Sequence, residues 1–204
     1  DDCLPAPGWL KALKEHCVAL PDHIVGGRIL NALQDNPFAA TSQLLLEVVY
    51  SHYNRAGAGQ ARFFASNNMA MAAEHFRAIG GFDRTFITSE DRELCDRWLH
   101  MGNRLTYAPE AVVYHAHALT LGSLWRQHFG YGRGAWRFHH LRKQSGRGPL
   151  RIDWEFYRRL AISPLAQGDA KYRLALASLM MVAQTANCAG FLYEGARPAG
   201  NRQL

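Results

Sequence analysis

Two adjacent carboxylates, Glu90 and Asp91, follow Ser89 at the start of a segment with helical periodicity. Free backbone N–H groups and the helix dipole keep a carboxylate in the first turn of a helix ionised. At the edge of a cleft, such a group can accept a proton from a hydroxyl and act as a general base. The alternative interpretation is that the two side chains only improve helix capping, because acidic first turns are common.

Two further pairs have the residue types of a metal site. Asp1 and Asp2 precede a proline-containing turn, and adjacent carboxylates bind hard divalent cations that bridge to a diphosphate. His115 and His117 are two residues apart at the end of a predicted strand. If the strand continues to His117, both side chains lie on one face and could complete a metal site or contact a phosphate. Without a metal, the aspartates are ordinary terminal charges and the histidines are structural residues.

Three arginines, Arg126, Arg133 and Arg137, share one helical stripe. Their planar guanidinium groups suit phosphate oxygens, and glycines in the same stretch would let a segment close over a ligand. Two other interpretations remain open, a solvated basic face and a nucleic-acid patch. The second arises because aromatic residues are interleaved with the arginines, namely Trp125, Phe129, Tyr131 and Trp136.

The composition is that of a globular protein with anionic partners. Of the 204 residues, 48% are hydrophobic and 20% are charged, which excludes a disordered chain. The net charge of +6 favours nucleotide phosphates, nucleic acid or an acidic membrane surface as partners. The four cysteines form no CxxC pair, which is typical of reduced cysteines in a cytosolic protein. Since the chain opens on Asp1 without a leader, we expect a fragment or a processed product.

The elements that position these residues alternate between strands and helices, which predicts an α/β fold. About four strands are too few for a complete nucleotide-binding sheet, so we expect an N-terminal part to be missing. A Gly/Ala loop is predicted at 55–60 and a linker at 145–149. The predicted strands are 23–30, 61–66, 104–108 and 111–115, and the predicted helices are 9–20, 38–53, 69–79, 90–100, one from 120, 154–166 and 170–193.

The C-terminal segment 174–193 contains no charged residue. Its length would allow a membrane span. Polar residues within it, and basic residues before it, also allow an interfacial helix. A helix packed on the domain or on a partner is the third possibility.

In their order along the chain, these pieces resemble the family 2 glycosyltransferases, which have the GT-A fold. The resemblance implies an α/β, partial GT-A (Rossmann-like) domain over 1–145 that lacks its N-terminal nucleotide-binding half, with a helical C-terminal appendage over 150–204. The matching segments are Asp2–Pro5 with Gly8–Leu10, Val25–Arg28, Ser66–Met71, Gly80–Asp83, Glu90–Leu94, Val113–His117 and Arg126–Gly134.

The resemblance implies an inverting enzyme that transfers a sugar from a nucleotide-diphosphate sugar to an acceptor hydroxyl. Asp91 would be the catalytic base that deprotonates this hydroxyl. Glu90, Gly81 and Asn68 would line the acceptor side, and the acceptor would be a saccharide or a lipid.

The same resemblance implies a divalent metal cofactor, Mn or Mg, that holds the diphosphate. Asp2 looks like the last aspartate of an Asp-x-Asp motif, and His117 would contact the metal or the diphosphate. Arg126, Gln127 and Arg133 resemble the mobile segment that closes over the donor.

The sequence departs from the family because the half that binds the nucleotide base is absent, so we expect the isolated chain to be inactive. We expect a cytoplasmic location, peripheral at the inner face of the cell membrane. One alternative is a non-catalytic remnant that binds a partner or a membrane. The other is a basic nucleic-acid-binding domain, for which no recognised motif is present, so no nucleic-acid partner is expected.

Overall fold

The computed structural model describes residues 2–54 and 61–198, and the predicted loop at 55–60 lies outside them. Two short 3-10 turns, Ser66–Asn68 and Ser163–Ala166, accompany the helices and strands. The chain has a mixed α/β architecture, as predicted. Its elements are β1 (Cys3–Pro5), α1 (Trp9–Ala19), β2 (His23–Asn31), α2 (Pro37–Tyr53), β3 (Met69–Ala70), α3 (Ala73–Ala78), α4 (Glu90–His100), β4 (Arg104–His115), α5 (Leu121–Gln144), α6 (Trp154–Ile162) and α7 (Ala170–Ala196).

The chain forms two compact units, each built from separate stretches of sequence. Unit 1 comprises Asp1–Leu33, Val49–Asp83 and Asp91–His117. Unit 2 comprises Gln34–Val48, Arg84–Glu90 and Ala118–Leu204. Helix α5, which the sequence grouped with the first predicted domain, therefore belongs to the same unit as α6 and α7.

Unit 1 is built on a four-stranded mixed sheet with the order β1-β4-β2-β3. Strands β2 and β4 are parallel, and β1 and β3 pair with them in the antiparallel sense. Helix α1 covers the sheet with Ala12 and Leu13, which pack on Val25. The close backbone approach predicted at Gly26 and Gly27 is confirmed at Gly27, where a Cβ would overlap the carbonyl oxygen of Ala111, while a Cβ at Gly26 would overlap the ring of Phe64.

Strand β4 is continuous, so the prediction of two strands separated by Pro109 was wrong. Its pairing with β2 shifts register at one place, where Gly27 lies opposite Ala108 and Arg28 lies opposite Val112. Residues 109–111 are skipped in this ladder and form an irregularity of the bulge type. A proline is tolerated there because its missing N–H costs no ladder hydrogen bond.

The predicted strand at 61–66 was also wrong, because side chains of α2 and of the residue after it occupy its backbone groups. Asn54 Oδ1 accepts hydrogen bonds from the N–H groups of Arg62 and Phe63, at 3.1 and 3.2 Å. The hydroxyl of Tyr50 accepts from the N–H of Ala65 at 3.0 Å. These N–H groups are therefore not available to a neighbouring strand.

The helix predicted at 69–79 is shorter than expected. Its first residues, Met69 and Ala70, form β3 and pair with Gly26 and Val25. The helix proper is α3, and it ends before Gly80, which has a φ of 88°. The left-handed conformation at Gly80 is the usual glycine signal for a helix end.

Unit 2 is held together by α5 and α7, which approach at glycines. A Cβ at Gly132 would overlap the carbonyl oxygen of Asn187, and a Cβ at Gly190 would overlap that of Phe129. The glycines that should weaken α5 therefore serve close helix packing, and α5 runs unbroken for 24 residues. Its predicted start is confirmed by a capping box at Thr120.

Candidate active site

Asp91 lies in the first turn of α4, half-buried, where backbone groups hold its carboxylate. Its Oδ2 accepts a hydrogen bond from the N–H of Ser66 at 3.2 Å, and its Oδ1 accepts from the N–H of Arg92 at 2.7 Å. Leu94 and Trp98 are buried and anchor the helix in unit 1. Backbone donors at a helix N-terminus stabilise the charged form of a carboxylate, which is the form that a general base needs.

The 3-10 turn Ser66–Asn68 connects Asp91 to the N-terminal residues. The N–H of Ser66 binds Asp91, while the side-chain amide of Asn67 donates to Cys3 Sγ at 3.6 Å. One short turn of unit 1 thus contacts both the candidate base and the segment that follows Asp2.

Asn68 fixes this turn on the sheet. Its side-chain Nδ2 donates to the carbonyl oxygens of Arg28 and Ala111, at 2.9 and 2.8 Å, and its Oδ1 accepts from Trp9 Nε1 at 2.9 Å. The residue is only 1% exposed. The structure therefore places Asn68 beneath the turn, with its amide bound to the protein's own groups.

Asp2, Cys3 and His115 form a cluster of potential metal ligands. Strands β1 and β4 place Cys3 directly opposite His115. The carboxylate Oδ2 of Asp2 lies 3.1 Å from His115 Nε2, and its Oδ1 accepts from Cys3 Sγ at 3.6 Å. One ligand atom from each residue lies within 4.8 Å of the other two. Partial burial of the Asp2 carboxyl opposes ionisation, but the charge and hydrogen bond of His115 outweigh it and lower the pKa of Asp2.

His117 lies beside this cluster, not within it. Strand β4 ends at His115, so His117 lies just beyond the strand, with its ring centroid 5.0 Å from that of His115. Burial, followed by the nearby charge of His115, lowers the pKa of His117, so its ring is neutral near pH 7 and able to bind a metal. The resemblance pointed to His117 as the partner of Asp2, whereas the structure brings His115 to Asp2. A carboxylate and two imidazoles suit a divalent cation.

Gly81 is held against α4 by an arginine. Its φ is 68°, a left-handed conformation that strains most other residues, and its carbonyl oxygen accepts from Arg97 Nη2 at 2.7 Å. Arg97 is in turn ion-paired with the buried carboxylate of Glu93 at 2.9 Å. The glycine turn is thereby fixed to the helix that carries Asp91.

The residues just before Asp91 are fixed to α5 within unit 2. Thr88 Oγ1 donates to the carbonyl oxygen of Gly130 at 2.8 Å, and a Cβ at Gly134 would overlap both Thr88 and Ser89. Ser89 has a φ of 70°, which is uncommon for a residue other than glycine and costs energy. Glu90 follows it, half-buried, as the first residue of α4.

The three residues of the predicted donor-closing segment have different surroundings in unit 2. Arg126 is exposed. Gln127 donates to the hydroxyl of Tyr131 at 2.7 Å, and its Oε1 is buried without a hydrogen-bond partner among the described residues. Arg133 is ion-paired at 2.8 Å with Glu194, a buried carboxylate that the sequence interpretation missed.

The sequence model of the glycosyl transferase family group 2 matches residues 23–194. The chain belongs to this family. The match includes α4 with Asp91, strand β4 with His115, and most of unit 2. Members of the family use nucleotide-sugar donors and acceptors.

Two curated relatives have similar segments. The pre-mycofactocin glycosyltransferase of Mycobacterium tuberculosis is 30% identical over 123 residues, which are 59% of this chain and 26% of the relative. The succinoglycan biosynthesis protein ExoA of Rhizobium meliloti is 40% identical over 65 residues, which are 31% of this chain and 19% of the relative. The matched segments therefore span about a quarter of these relatives or less.

Proposed function

We propose that the protein is an inverting glycosyltransferase that moves a sugar from a nucleotide-diphosphate sugar to the hydroxyl of a saccharide or lipid acceptor. The observation that carries this proposal is the turn Ser66–Asn68. It contacts the carboxylate of Asp91 on one side and Cys3, next to Asp2, on the other. A single displacement needs a base and an anion-holding centre held in fixed positions, and here both are attached to one short turn.

In this reaction Asp91 takes the proton of the acceptor hydroxyl, whose oxygen forms the new bond to the anomeric carbon as the bond to the diphosphate breaks. A divalent cation, Mn²⁺ or Mg²⁺, held by Asp2 with His115 or His117, would neutralise charge on the leaving diphosphate. Glu90 and Gly81 are proposed to line the acceptor side.

The remaining residues complete the assignment. Asn68 serves the acceptor side by holding the turn in place. Arg126 and Gln127 are proposed to bind the donor phosphates, since Arg126 is exposed and the Oε1 of Gln127 is buried without a partner among the described residues. Arg133 is proposed to assist them, with its guanidinium oriented by Glu194.

The variant Asp91→Asn in the full-length protein tests the role of the base. The amide keeps the size of the side chain but cannot accept the proton, so turnover should fall by about 10²–10⁴-fold. The assay is release of UDP or GDP from a panel of UDP- and GDP-sugars with saccharide and lipid acceptors. Asp96→Asn, the same change on the same helix, is the matched control and should retain turnover. Full turnover in Asp91→Asn would refute the assignment.

We further propose that unit 2 contacts the inner face of the cell membrane. By length and composition, helix α7 could cross a membrane, and 28% of an apolar 18-residue stretch within it is buried. Leu174 and Met181 on α7 are about 70% exposed, as is Trp154 on α6. Basic residues accompany these apolar groups, namely Arg158, Lys171 and Arg173. Exposed apolar side chains next to basic ones favour an anionic lipid surface.

Sedimentation with vesicles tests this contact. The protein should pellet with vesicles that contain an anionic lipid and less with neutral ones. Trp154→Glu should weaken pelleting, whereas Met101→Glu, which alters an exposed apolar residue of unit 1, should not. Equal recovery of all three proteins in the supernatant would contradict membrane contact.

A further inference from the structure

The cluster at the start of β1 contains a thiol, which neither Mg²⁺ nor Mn²⁺ prefers as a ligand. Carboxylate and carbonyl oxygens suit these hard cations, whereas cysteine sulfur suits Zn²⁺ and other thiophilic metals. Cys3 is half-buried, and its Sγ donates a hydrogen bond to Asp2 Oδ1 and accepts one from Asn67 Nδ2. Its β1 position opposite His115 points the two side chains to the same face of the sheet.

The distances within the cluster are close to those of a tetrahedral zinc site. With metal–ligand bonds of about 2.0–2.3 Å, neighbouring ligand atoms of a tetrahedron lie about 3.3–3.8 Å apart. Asp2 Oδ2 and His115 Nε2 are 3.1 Å apart, and Asp2 Oδ1 and Cys3 Sγ are 3.6 Å apart. The ligand atoms of all three residues lie within 4.8 Å of one another, so small side-chain rotations would bring them to one ion.

We infer that Asp2, Cys3 and His115 bind Zn²⁺ through a carboxylate, a thiolate and an imidazole, and that they prefer it to Mn²⁺ and Mg²⁺. On binding, the Cys3 Sγ–H bond breaks, the proton passes to water, and an Sγ–Zn bond forms. Three protein ligands leave a fourth position open, as in catalytic zinc sites. This site shares Asp2 and His115 with the metal site of the proposed function and rests on that function in no other respect, so Zn²⁺ and the hard cation compete for these two residues.

Metal titration of the purified, metal-free full-length protein without nucleotide tests the inference. Co²⁺ is the spectroscopic probe, because a cysteine thiolate bound to Co²⁺ gives a near-ultraviolet charge-transfer band. We expect this band in the wild type, and we expect Zn²⁺ to abolish it by displacing Co²⁺ while equimolar Mn²⁺ does not. Cys3→Ser should lack the band and should bind Zn²⁺ at least about tenfold more weakly.

The control is Cys188→Ser, which removes an exposed thiol of unit 2 and should keep the band. His115→Gln, which leaves the thiol in place, should also weaken Zn²⁺ binding, and circular dichroism checks that each variant is folded. A wild type without the band, or a Cys3→Ser variant with unchanged Zn²⁺ affinity, would overturn the inference. Asp91→Asn should keep the band, so loss of the thiolate signal is distinguishable from failure of the proposed transfer reaction.

Discussion

Glu194→Gln should strongly destabilise unit 2. The carboxylate is 2% exposed and lies 2.8 Å from Arg133, 3.5 Å from Arg137 and 3.4 Å from Arg197. Removing one partner of a buried ion pair costs about 3–5 kcal/mol, because the remaining charge stays desolvated. Since Arg133 and Arg197 keep 27% and 22% of their side chains exposed, water compensates in part. We therefore expect a loss at or just below the lower end of this range, about 2–3 kcal/mol.

The assay is urea unfolding followed by circular dichroism, with thermal unfolding in parallel. A loss of 2–3 kcal/mol corresponds to a fall in Tm of roughly 4–12 °C for a protein of this size. Glu155→Gln is the matched control, because the Glu155 side chain is 42% exposed and its pairs with Arg158 and Arg159 lie on the surface. It should leave the unfolding midpoint unchanged. Equal stability of the two variants would refute the assignment of Glu194 as the charge that orients Arg133.

The pH dependence gives a second readout on Glu194. Burial works against ionisation of this carboxyl, but the hydrogen bond and charge of Arg133, with those of Arg197, lower its pKa below the usual 4.5. A carboxyl whose folded-state pKa is lowered adds stability above its unfolded pKa and loses it as the pH falls through the folded value. The difference in unfolding free energy between the wild type and Glu194→Gln should therefore shrink as the pH is lowered from about 4.5.

Two further predictions concern the same unit. Gly132→Ala should destabilise the protein by about 1–3 kcal/mol in urea unfolding, because the new Cβ meets the backbone of Asn187. Gly122→Ala on the same helix places its Cβ in open space and should not destabilise the protein. Equal effects of the two substitutions would contradict the close packing of α5 and α7. Burial lowers the pKa of His128 to about 4 from 6.5, so the unfolded state binds a proton first and stability should fall by about 3 kcal/mol between pH 6.5 and 4. His128→Leu should reduce that loss of stability. If the variant and the wild type had the same pH profile of stability, His128 would not be its cause.

Hydrophobic periodicity predicted the helices and strands well where the segment's own sequence determines its structure. Helices α1, α2 and α4 and strand β2 lie within a few residues of their predicted ranges, because apolar spacing and terminal signals are local. The glycines of α5 misled in one respect. They indicated a weak helix, while the structure uses Gly132 and Gly134 for close contacts with other segments.

The predictions failed where distant side chains decide the structure. Segment 61–66 has the composition of a strand, but Asn54 and Tyr50 bind its backbone groups. Pro109 indicated a strand break, but the parallel pairing of β2 and β4 continues past it with a register shift. Secondary-structure propensity depends on the local sequence alone, so it does not predict such contacts.

The candidate site was accessible from sequence only in part. The order of the motifs identified Asp2, Asp91 and the two histidines as candidate site residues. Their catalytic and metal-binding roles remain predictions. The contact of Asp2 with His115 spans 113 residues, and that of Arg133 with Glu194 spans 61. No local pattern indicates contacts across such separations, so the role of Cys3 and Glu194 required the structure.

Calorimetric titration of UDP and GDP into the full-length protein, with and without Mn²⁺, tests whether the protein binds a nucleotide-sugar donor through a metal ion. We expect that one of the two nucleotides binds, that binding requires Mn²⁺, and that Asp2→Asn weakens it by at least about tenfold. Absence of binding for both nucleotides, or binding that is unchanged without Mn²⁺ and in Asp2→Asn, would contradict the claim that this chain holds a metal-bridged nucleotide diphosphate.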